Sequence, residues 1–280
     1  LHLLSRRQRQ MCIRDSCIMG GFNGYKVVAH RNLDELNKEL NTVMLRRKKE
    51  EVLDLPPKIY TTEYIELTRK QRILYKEIRQ GIVDNLENIL EIPNPLSCTV
   101  RLRQLTGGVF GDDNPKLERV KDMLEEITES GHKALIFSQW EQVTSVYKEA
   151  LKAYNPAYIV GAVDPEDRQK EVDRFQNDPT CKVAIGTIGA MGTGLTMTAA
   201  SYVFFVDKRY WDAENKQAED RAHRIGTTNT VNVVSLVATN TVDEGIEEML
   251  RDNRALFDRV VEGKGSRVDV GEILRKILQY

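Results

Sequence analysis

The sequence predicts an α/β fold in which helices cover both faces of a parallel sheet. Five short apolar segments alternate with helix-forming segments between about residues 114 and 261. Strands of a parallel sheet are buried on both faces, so they form continuous apolar runs, and their alternation with helices is typical of this architecture. The predicted strands are KALIFS, AYIVG, KVAIGT, SYVFFVD and VNVVSLVA.

The segment before residue 114 predicts a helical bridge or protrusion. Apolar residues fall at helical spacing over residues 32–45, and Pro56-Pro57 ends any helix after them. The stretch KIYTTEYIEL alternates well enough to be a strand. A long helix then begins with Thr68 as N-cap, and a shorter one covers about residues 96–105. The apolar face of the long helix would carry Ile73, Leu74, Ile78 and Ile82.

The helices of the α/β region follow from the same spacing. With right-handed crossovers, helices between parallel strands lie over the sheet faces. The predicted helices are PKLERVKDMLEEITES, QVTSVYKEALKAY, PEDRQKEVDRFQND, the polar NKQAEDRAHRIG, and VDEGIEEMLRDNRALFDRVV.

Composition excludes several classes of protein. The chain has 280 residues, 30% of them charged, which fits a soluble domain, and no apolar run approaches the ~18 residues of a membrane span. The four cysteines form no CxxC pair, which argues against a metal site and for a reducing compartment. Cys98 and Cys181 are interpreted as small buried residues.

Charge is distributed unevenly along the chain. Up to Phe110 we count about 19 basic and about 13 acidic residues, roughly +6, and the remainder is net acidic. A basic front half, including Arg46 to Lys49, could contact nucleic-acid phosphates. A solvated basic helix face is the alternative.

Three segments predict ligand contacts, because ligands of parallel sheets bind beyond the carboxyl ends of the strands. In the first, Ser138, Gln139 and Trp140 follow the strand KALIFS. Polar groups there could contact a phosphate or a base, or Ser138 could cap the next helix.

The second segment is GTIGAMGTGLTMTAAS. Gly186, Gly189, Gly192 and Gly194 would let the backbone approach a ligand, and successive N–H groups can bind anions. Thr187 adds a hydroxyl. The segment matches neither a phosphate-binding P-loop nor a dinucleotide fingerprint, and a plain turn is the alternative.

The third segment is WDAENKQAEDRAHRIG. Gln217, Arg221 and Arg224 are spaced at four and three residues, so on a helix they would share one face. Guanidinium groups bind phosphate oxygens in pairs. The alternative is an exposed face on which Glu219 and Asp220 pair with these arginines.

The order and spacing of the three segments resemble helicase motifs IV, V and VI. QAEDRAHRIG resembles motif VI of the Swi/Snf-type ATPases, and MLRRKKEEVLDLPPKIYTTEYIELTRKQRILY resembles the stretch that joins the two motor lobes in that family. The resemblance covers about residues 20–261. It implies a RecA-like second lobe at 114–261, the end of a first lobe with a helical inter-lobe segment at 17–113, and a C-terminal extension with a short helix at 262–280. Residues 1–16, which end in MCIRDS, are expected to be a non-native or disordered start.

The resemblance also implies roles for individual residues. Arg221 and Arg224 would reach the phosphates of ATP as arginine fingers, and Gln217 would orient nucleotide or water. Gly192 and Gly194 would lie near nucleotide. Ser138, Gln139, Thr187 and Trp211 would contact DNA, most simply a duplex.

The chain departs from the family pattern at three places. Thr227 stands where the family usually has Gln after RIG, Trp211-Asp212-Ala213 replaces W-N-P, and the motif V glycine run is altered around Met191. These departures suggest a bacterial or phage member of the family, acting in the cytoplasm.

Two elements of a complete ATPase are absent from the sequence. It contains no GxxxxGKS or GxxxxGKT loop, and the DE pairs at Asp34 and Asp243 end no predicted strand. The groups that hold Mg²⁺ and the β-phosphate are therefore expected in a first lobe, and this chain alone is expected to be inactive. A nucleic-acid-binding or regulatory lobe without ATPase activity is the main alternative. A methyltransferase that uses the glycine cluster is the other.

Overall fold

The computed structural model describes residues 17–20, 26–30, 32–43, 53–80 and 95–262. Residues 54–244 form one compact unit, and the residues before and after them belong to a second unit. The predictions for residues 1–16, for the basic stretch at 44–52 and for the chain after 262 lie outside the described residues.

The smaller unit begins with an antiparallel pair of strands, β1 (Cys17–Gly20) and β2 (Lys26–His30). Helix α1 (Leu33–Val43) follows, within the range predicted as helix.

The larger unit opens with strand β3 (Lys58–Ile65). Helices α2 (Arg69–Gln80), α3 (Pro95–Thr106) and α4 (Pro115–Glu129) follow. Next come strand β4 (Lys133–Ser138), helix α5 (Glu141–Ala150) and strand β5 (Ala157–Ile159). Helix α6 (Pro165–Asn177), strand β6 (Val183–Thr187) and the single-turn helix α7 (Ile188–Met191) come after them. The unit continues with strand β7 (Ala200–Phe205), helix α8 (Asp212–Glu219) and strand β8 (Val231–Ala238), and helix α9 (Val242–Glu262) begins in it.

The six strands from β3 to β8 form one parallel sheet in the order β3-β8-β7-β4-β6-β5. Both faces of the sheet are buried. Leu135 and Phe137 of β4 belong to one apolar cluster, and Ala134 and Ile136 belong to another. The RecA-like α/β architecture predicted from the sequence is confirmed.

The sheet begins earlier in the chain than the sequence predicted. The sequence predicts β3 as part of the segment before the lobe. In the structure it is the edge strand of the sheet and pairs with β8 over its whole length. An edge strand has one neighbour, and most of the side chains of β3 are exposed. The strand therefore lacks the apolar run that identifies a central strand.

The buried face of α2 also differs from the prediction. Thr68 caps the helix as predicted, since its Oγ1 accepts from the backbone N–H of Gln71, but Ile73 is 52% exposed. The buried residues are Gln71, Tyr75 and Ile78. Two of these side chains bond to the backbone: Gln71 donates to the carbonyl of Asp113 at 2.8 Å, and the Tyr75 hydroxyl accepts from the N–H of Val242 at 2.8 Å. Cys181 is buried, as predicted.

Candidate functional site

The carboxyl ends of three neighbouring strands form one edge of the sheet. Ser138 at the end of β4 is the register partner of Thr187 at the end of β6. On the other side of β4, Phe137 pairs with Phe205 of β7, and Asp207 follows two residues later. The first two predicted segments therefore meet at this edge.

Asp207 is a buried carboxylate that accepts hydrogen bonds from residues at the end of β4. The Ser138 hydroxyl donates to one of its oxygens, and the backbone N–H of Gln139 donates to the other at 2.8 Å. Ser138 is 1% exposed, so its hydroxyl is occupied inside the protein. Helix α5 begins at Glu141 and has no side-chain cap, so the alternative in which Ser138 caps it is not observed.

Arg103 of α3 supplies the positive charge opposite Asp207, and sequence reasoning missed it. Its buried guanidinium lies 3.7 Å from the Asp207 carboxylate and donates to the Gln139 side chain at 3.2 Å. It also lies 4.8 Å from the ring centre of Tyr210. Burial raises the pKa of Asp207, while Arg103 and the hydrogen bond from Ser138 act in the opposite direction. Nothing in RLRQLT distinguishes this arginine from an exposed one.

The glycine segment contains two glycines with different roles. A Cβ on Gly192 would lie 2.2 Å from the carbonyl oxygen of Ile188 and 3.2 Å from the Cβ of Ala218. This glycine therefore permits close packing against α8. Gly194 is exposed, has φ +72, and has open space where a Cβ would lie. The hydroxyl of Thr187 caps α7 by accepting from Ala190.

The prediction that Gln217, Arg221 and Arg224 share one helix face is wrong. Helix α8 ends at Glu219, and Arg221 and Arg224 lie in the turns that follow. Thr227 closes these turns: its hydroxyl donates to the carbonyl of Ala222 at 2.6 Å and accepts from the N–H of Arg224 at 3.1 Å. The turn that Thr227 closes contains Gly226 at φ +103, a backbone conformation that favours glycine.

The two arginines nevertheless converge on the glycine segment. Nη1 of Arg221 donates to the carbonyl of Leu195 at 3.1 Å, and Nη1 of Arg224 approaches the same oxygen at 3.5 Å. Arg224 also donates to the hydroxyl of Thr196 at 3.0 Å. Arg221 is 8% exposed, and Arg224 lies on the surface. Gln217 is exposed, and its carbonyl accepts from Arg221 Nε at 3.1 Å.

The two guanidinium groups lie close together, and neither has a carboxylate ion-pair partner among the described residues. Burial lowers the pKa of Arg221, and the adjacent charge of Arg224 lowers it further, against a smaller opposing effect of Asp220. Glu219 and Asp220 instead accept from Lys58 Nζ, at 2.8 and 2.7 Å. The alternative, in which these acids pair with the arginines, is therefore not observed.

Trp211 is the most exposed aromatic residue among the large apolar side chains described, at 72%. The loop before it is held by Asn215, whose side chain exchanges two hydrogen bonds with the backbone of Arg209, at 2.9 and 2.8 Å. A rigid loop thus presents an indole ring to solvent.

The described ranges contain neither a metal-binding cluster nor a membrane-spanning helix. No three His, Cys, Asp or Glu residues there are grouped so that they could hold a metal ion. No helix in the same part of the chain is long and apolar enough to cross a membrane.

Comparison with known proteins identifies the class to which this site belongs. The family "Helicase conserved C-terminal domain" matches residues 115–226. The mouse (Mus musculus) protein "DNA annealing helicase and endonuclease ZRANB3" is 33% identical over 253 residues, covering 86% of this chain and 22% of that protein. The chain thus spans about a fifth of the length of this relative.

Two solved structures share the fold of this chain. The C-terminal part of the Fun30 ATPase domain aligns with a TM-score of 0.62 at 19% identity, covering 75% of this chain and 98% of that one. The Sulfolobus solfataricus SWI2/SNF2 ATPase core in complex with dsDNA aligns with a TM-score of 0.58 at 28% identity, covering 82% of this chain and 52% of that one.

Proposed function

This chain carries the C-terminal RecA-like lobe of a Snf2-type helicase, and on that premise we propose that it is the second half of an ATP-dependent DNA translocase. In this role it supplies arginine groups to ATP and backbone contacts to duplex DNA. A first RecA-like lobe of the same protein supplies the groups that hold Mg²⁺ and the β-phosphate. The departures at Thr227, Trp211 and Met191 support a bacterial or phage member that acts in the cytoplasm.

The observation that carries the proposal is a pair of guanidinium groups with no ion-paired carboxylate among the described residues. Two like charges that contact one carbonyl oxygen, at Leu195, repel each other. A bound polyphosphate relieves this repulsion and accepts hydrogen bonds from the planar guanidinium. Arg224 is exposed, whereas Arg221 is buried, so we assign the direct γ-phosphate contact to Arg224 and the positioning of the pair to Arg221.

The role of these arginines in ATP hydrolysis follows from where negative charge develops in the transition state. During phosphoryl transfer, negative charge spreads over the equatorial oxygens of the transferring group. A guanidinium placed beside these oxygens stabilises the transition state more than the ground state. Gln217 is exposed, lies seven residues before Arg224, and would orient nucleotide or water. Gly194 has no side chain, so its backbone is accessible at the surface of the lobe.

We assign the DNA contacts to the edge of the sheet where β4, β6 and β7 end. Gln139, Thr187 and Trp211 lie at or follow the ends of these strands, and an exposed indole on a rigid loop suits contact with a sugar or a base. Ser138 belongs to the same edge, but its buried hydroxyl suits it to fixing the backbone of Gln139 through Asp207. The SWI2/SNF2 relative that was solved with dsDNA supports duplex DNA as the partner.

The isolated 280-residue chain is expected to lack DNA-stimulated ATPase activity. The Mg²⁺-binding and β-phosphate-binding groups belong to the proposed first lobe, and half a site leaves the attacking water and the leaving group unpositioned. Phosphate release with duplex DNA should equal that of an Arg224→Ala control. Release above this control would contradict the assignment of these groups to another lobe.

The competing function, a nucleic-acid-binding or regulatory lobe without ATPase activity, makes a different prediction for the full-length protein. It requires that the full-length protein bind DNA and hydrolyse no ATP. Both functions could use arginines, since guanidinium groups also bind DNA phosphates, so ATP hydrolysis by the full-length protein is the measurement that distinguishes them.

A further inference from the structure

A cluster of charged and polar groups ties the start of the edge strand to the turn that carries the arginines. Lys58 of β3 donates to Glu219 and Asp220, and the Tyr60 hydroxyl donates to the same Glu219 oxygen at 2.8 Å. The imidazole Nε2 of His223 lies 2.7 Å from the carbonyl of Pro56. Residues 56–60 thus contact the end of α8 and the turn after it at several points.

The geometry of Lys58 makes it the partner of both carboxylates. Its side chain is 15% exposed and that of Glu219 is 6% exposed, so this interaction is shielded from water. Burial alone would lower the pKa of Lys58, but the charges and hydrogen bonds of Glu219 and Asp220 raise it above its usual value. The lysine is therefore charged at neutral pH and neutralises the acids beside it.

These acids are also the nearest in sequence to the arginine pair. Asp220 directly precedes Arg221, and Glu219 and Arg224 are five residues apart across the turn. An acid without a partner in this position would attract a guanidinium, because an unpaired carboxylate in a partly buried site is costly.

We propose that Lys58 is a positioning residue for the arginine pair. By holding Glu219 and Asp220, it keeps Arg221 and Arg224 free of carboxylates and available to a polyphosphate. This inference rests on the proposed function as a phosphate-binding lobe. It also makes the charge of the site depend on the edge strand β3, whose only partner in the sheet described is β8.

A chemical test reports the state of the arginines without any nucleotide. Phenylglyoxal attacks the neutral guanidine, so an arginine that is paired with a carboxylate reacts more slowly. In the 280-residue chain, Lys58→Met should slow the modification of Arg224 by about two- to fivefold, the factor expected for a partly exposed ion pair. Mass spectrometry measures the modification rate.

Lys58→Gln, which keeps a hydrogen-bond donor without the charge, should act in the same direction. Lys121→Met, which removes the lysine of the exposed pair with Glu118, is the control for loss of one charge and should have no effect.

A second readout is the affinity of the chain for inorganic triphosphate, measured by NMR titration. Lys58→Met should weaken it by a similar factor. Lys58→Arg should retain the affinity of the wild type, and Lys58→Met combined with Glu219→Gln and Asp220→Asn should restore it, because the competing acids are gone. Urea unfolding of each variant separates this effect from loss of the fold.

The two readouts separate the inference from the function on which it rests. An unchanged Arg224 modification rate in Lys58→Met and Lys58→Gln, or no recovery in the triple variant, would overturn the role of Lys58. If the wild-type chain and Arg224→Gln bind triphosphate equally well while Lys58→Met still slows the modification of Arg224, the phosphate site is overturned. The positioning role of Lys58 then stands.

Discussion

Replacing Arg224 by lysine in the full-length, two-lobed protein is expected to lower kcat for DNA-stimulated ATP hydrolysis by ~10³-fold, the usual cost of losing an arginine finger. Lysine keeps the charge but cannot hold two oxygens with one planar group. Arg224 is exposed, and among the described residues its side chain donates to Leu195 and Thr196 alone, so the fold should tolerate the change. Steady-state phosphate release measures the effect.

The control for this variant is Arg119→Lys. Arg119 is also partly exposed, and its guanidinium pairs with Glu63 at 3.0 Å, away from the motif VI turn. It should leave kcat near the wild-type value. Arg221→Lys should lower both stability and kcat, because this side chain is buried against Leu195 and Gln217. Near-normal hydrolysis by Arg224→Lys would reduce the pair to a structural role.

The largest loss of stability is expected from Arg103→Met. The substitution keeps much of the side-chain volume but leaves Asp207 as a buried carboxylate without its partner, which costs about 3–5 kcal/mol. It also removes the donors to Gln139 and to the carbonyl of Lys208. Urea unfolding of the 280-residue chain measures the change in free energy of unfolding.

A matched control lies on the same helix. Arg101 is half-buried and donates to Gln104 at 3.2 Å, so Arg101→Met should change the free energy of unfolding by less than ~1 kcal/mol. Combining Arg103→Met with Asp207→Asn should cost less than the sum of the two single changes, because the second removes the charge that the first leaves unpaired. Additive effects would show that the two groups do not act as a pair.

The sequence predicted the central part of the fold correctly because burial on both faces leaves a clear signal. The strands from β4 to β8 are short apolar runs between amphipathic helices, and their positions agree with the prediction within a residue or two. Strand β3 gave no such signal, since its place in the sheet depends on backbone pairing with β8 and on few buried side chains.

The sequence identified Arg221 and Arg224 of the candidate site but misplaced them relative to the helix. Spacing placed Arg221 and Arg224 on one helix face, whereas the helix ends at Glu219 and both arginines lie in the turns after it. The arginines converge through contacts with Leu195, which lies far from them in sequence. Such contacts are tertiary, so residue spacing cannot reveal them.

The buried polar residues were the least predictable part. The position of Ser138 at a strand end predicts an exposed hydroxyl, but in the structure this hydroxyl is buried and donates to the Asp207 carboxylate. Arg103 and Lys58 look like ordinary basic residues, and only the fold brings them to Asp207 and to Glu219. Their importance depends on partners that lie about 100 residues or more away in the chain.

The central claim, that Arg224 meets the transferring phosphate, is tested most directly by a transition-state analogue. In the full-length protein with duplex DNA, the affinity of aluminium fluoride for the ADP complex should fall by ~10³-fold or more in Arg224→Lys, while the affinity for ADP alone changes little. Equal losses for ADP and for the analogue, or no loss for either, would contradict the claim.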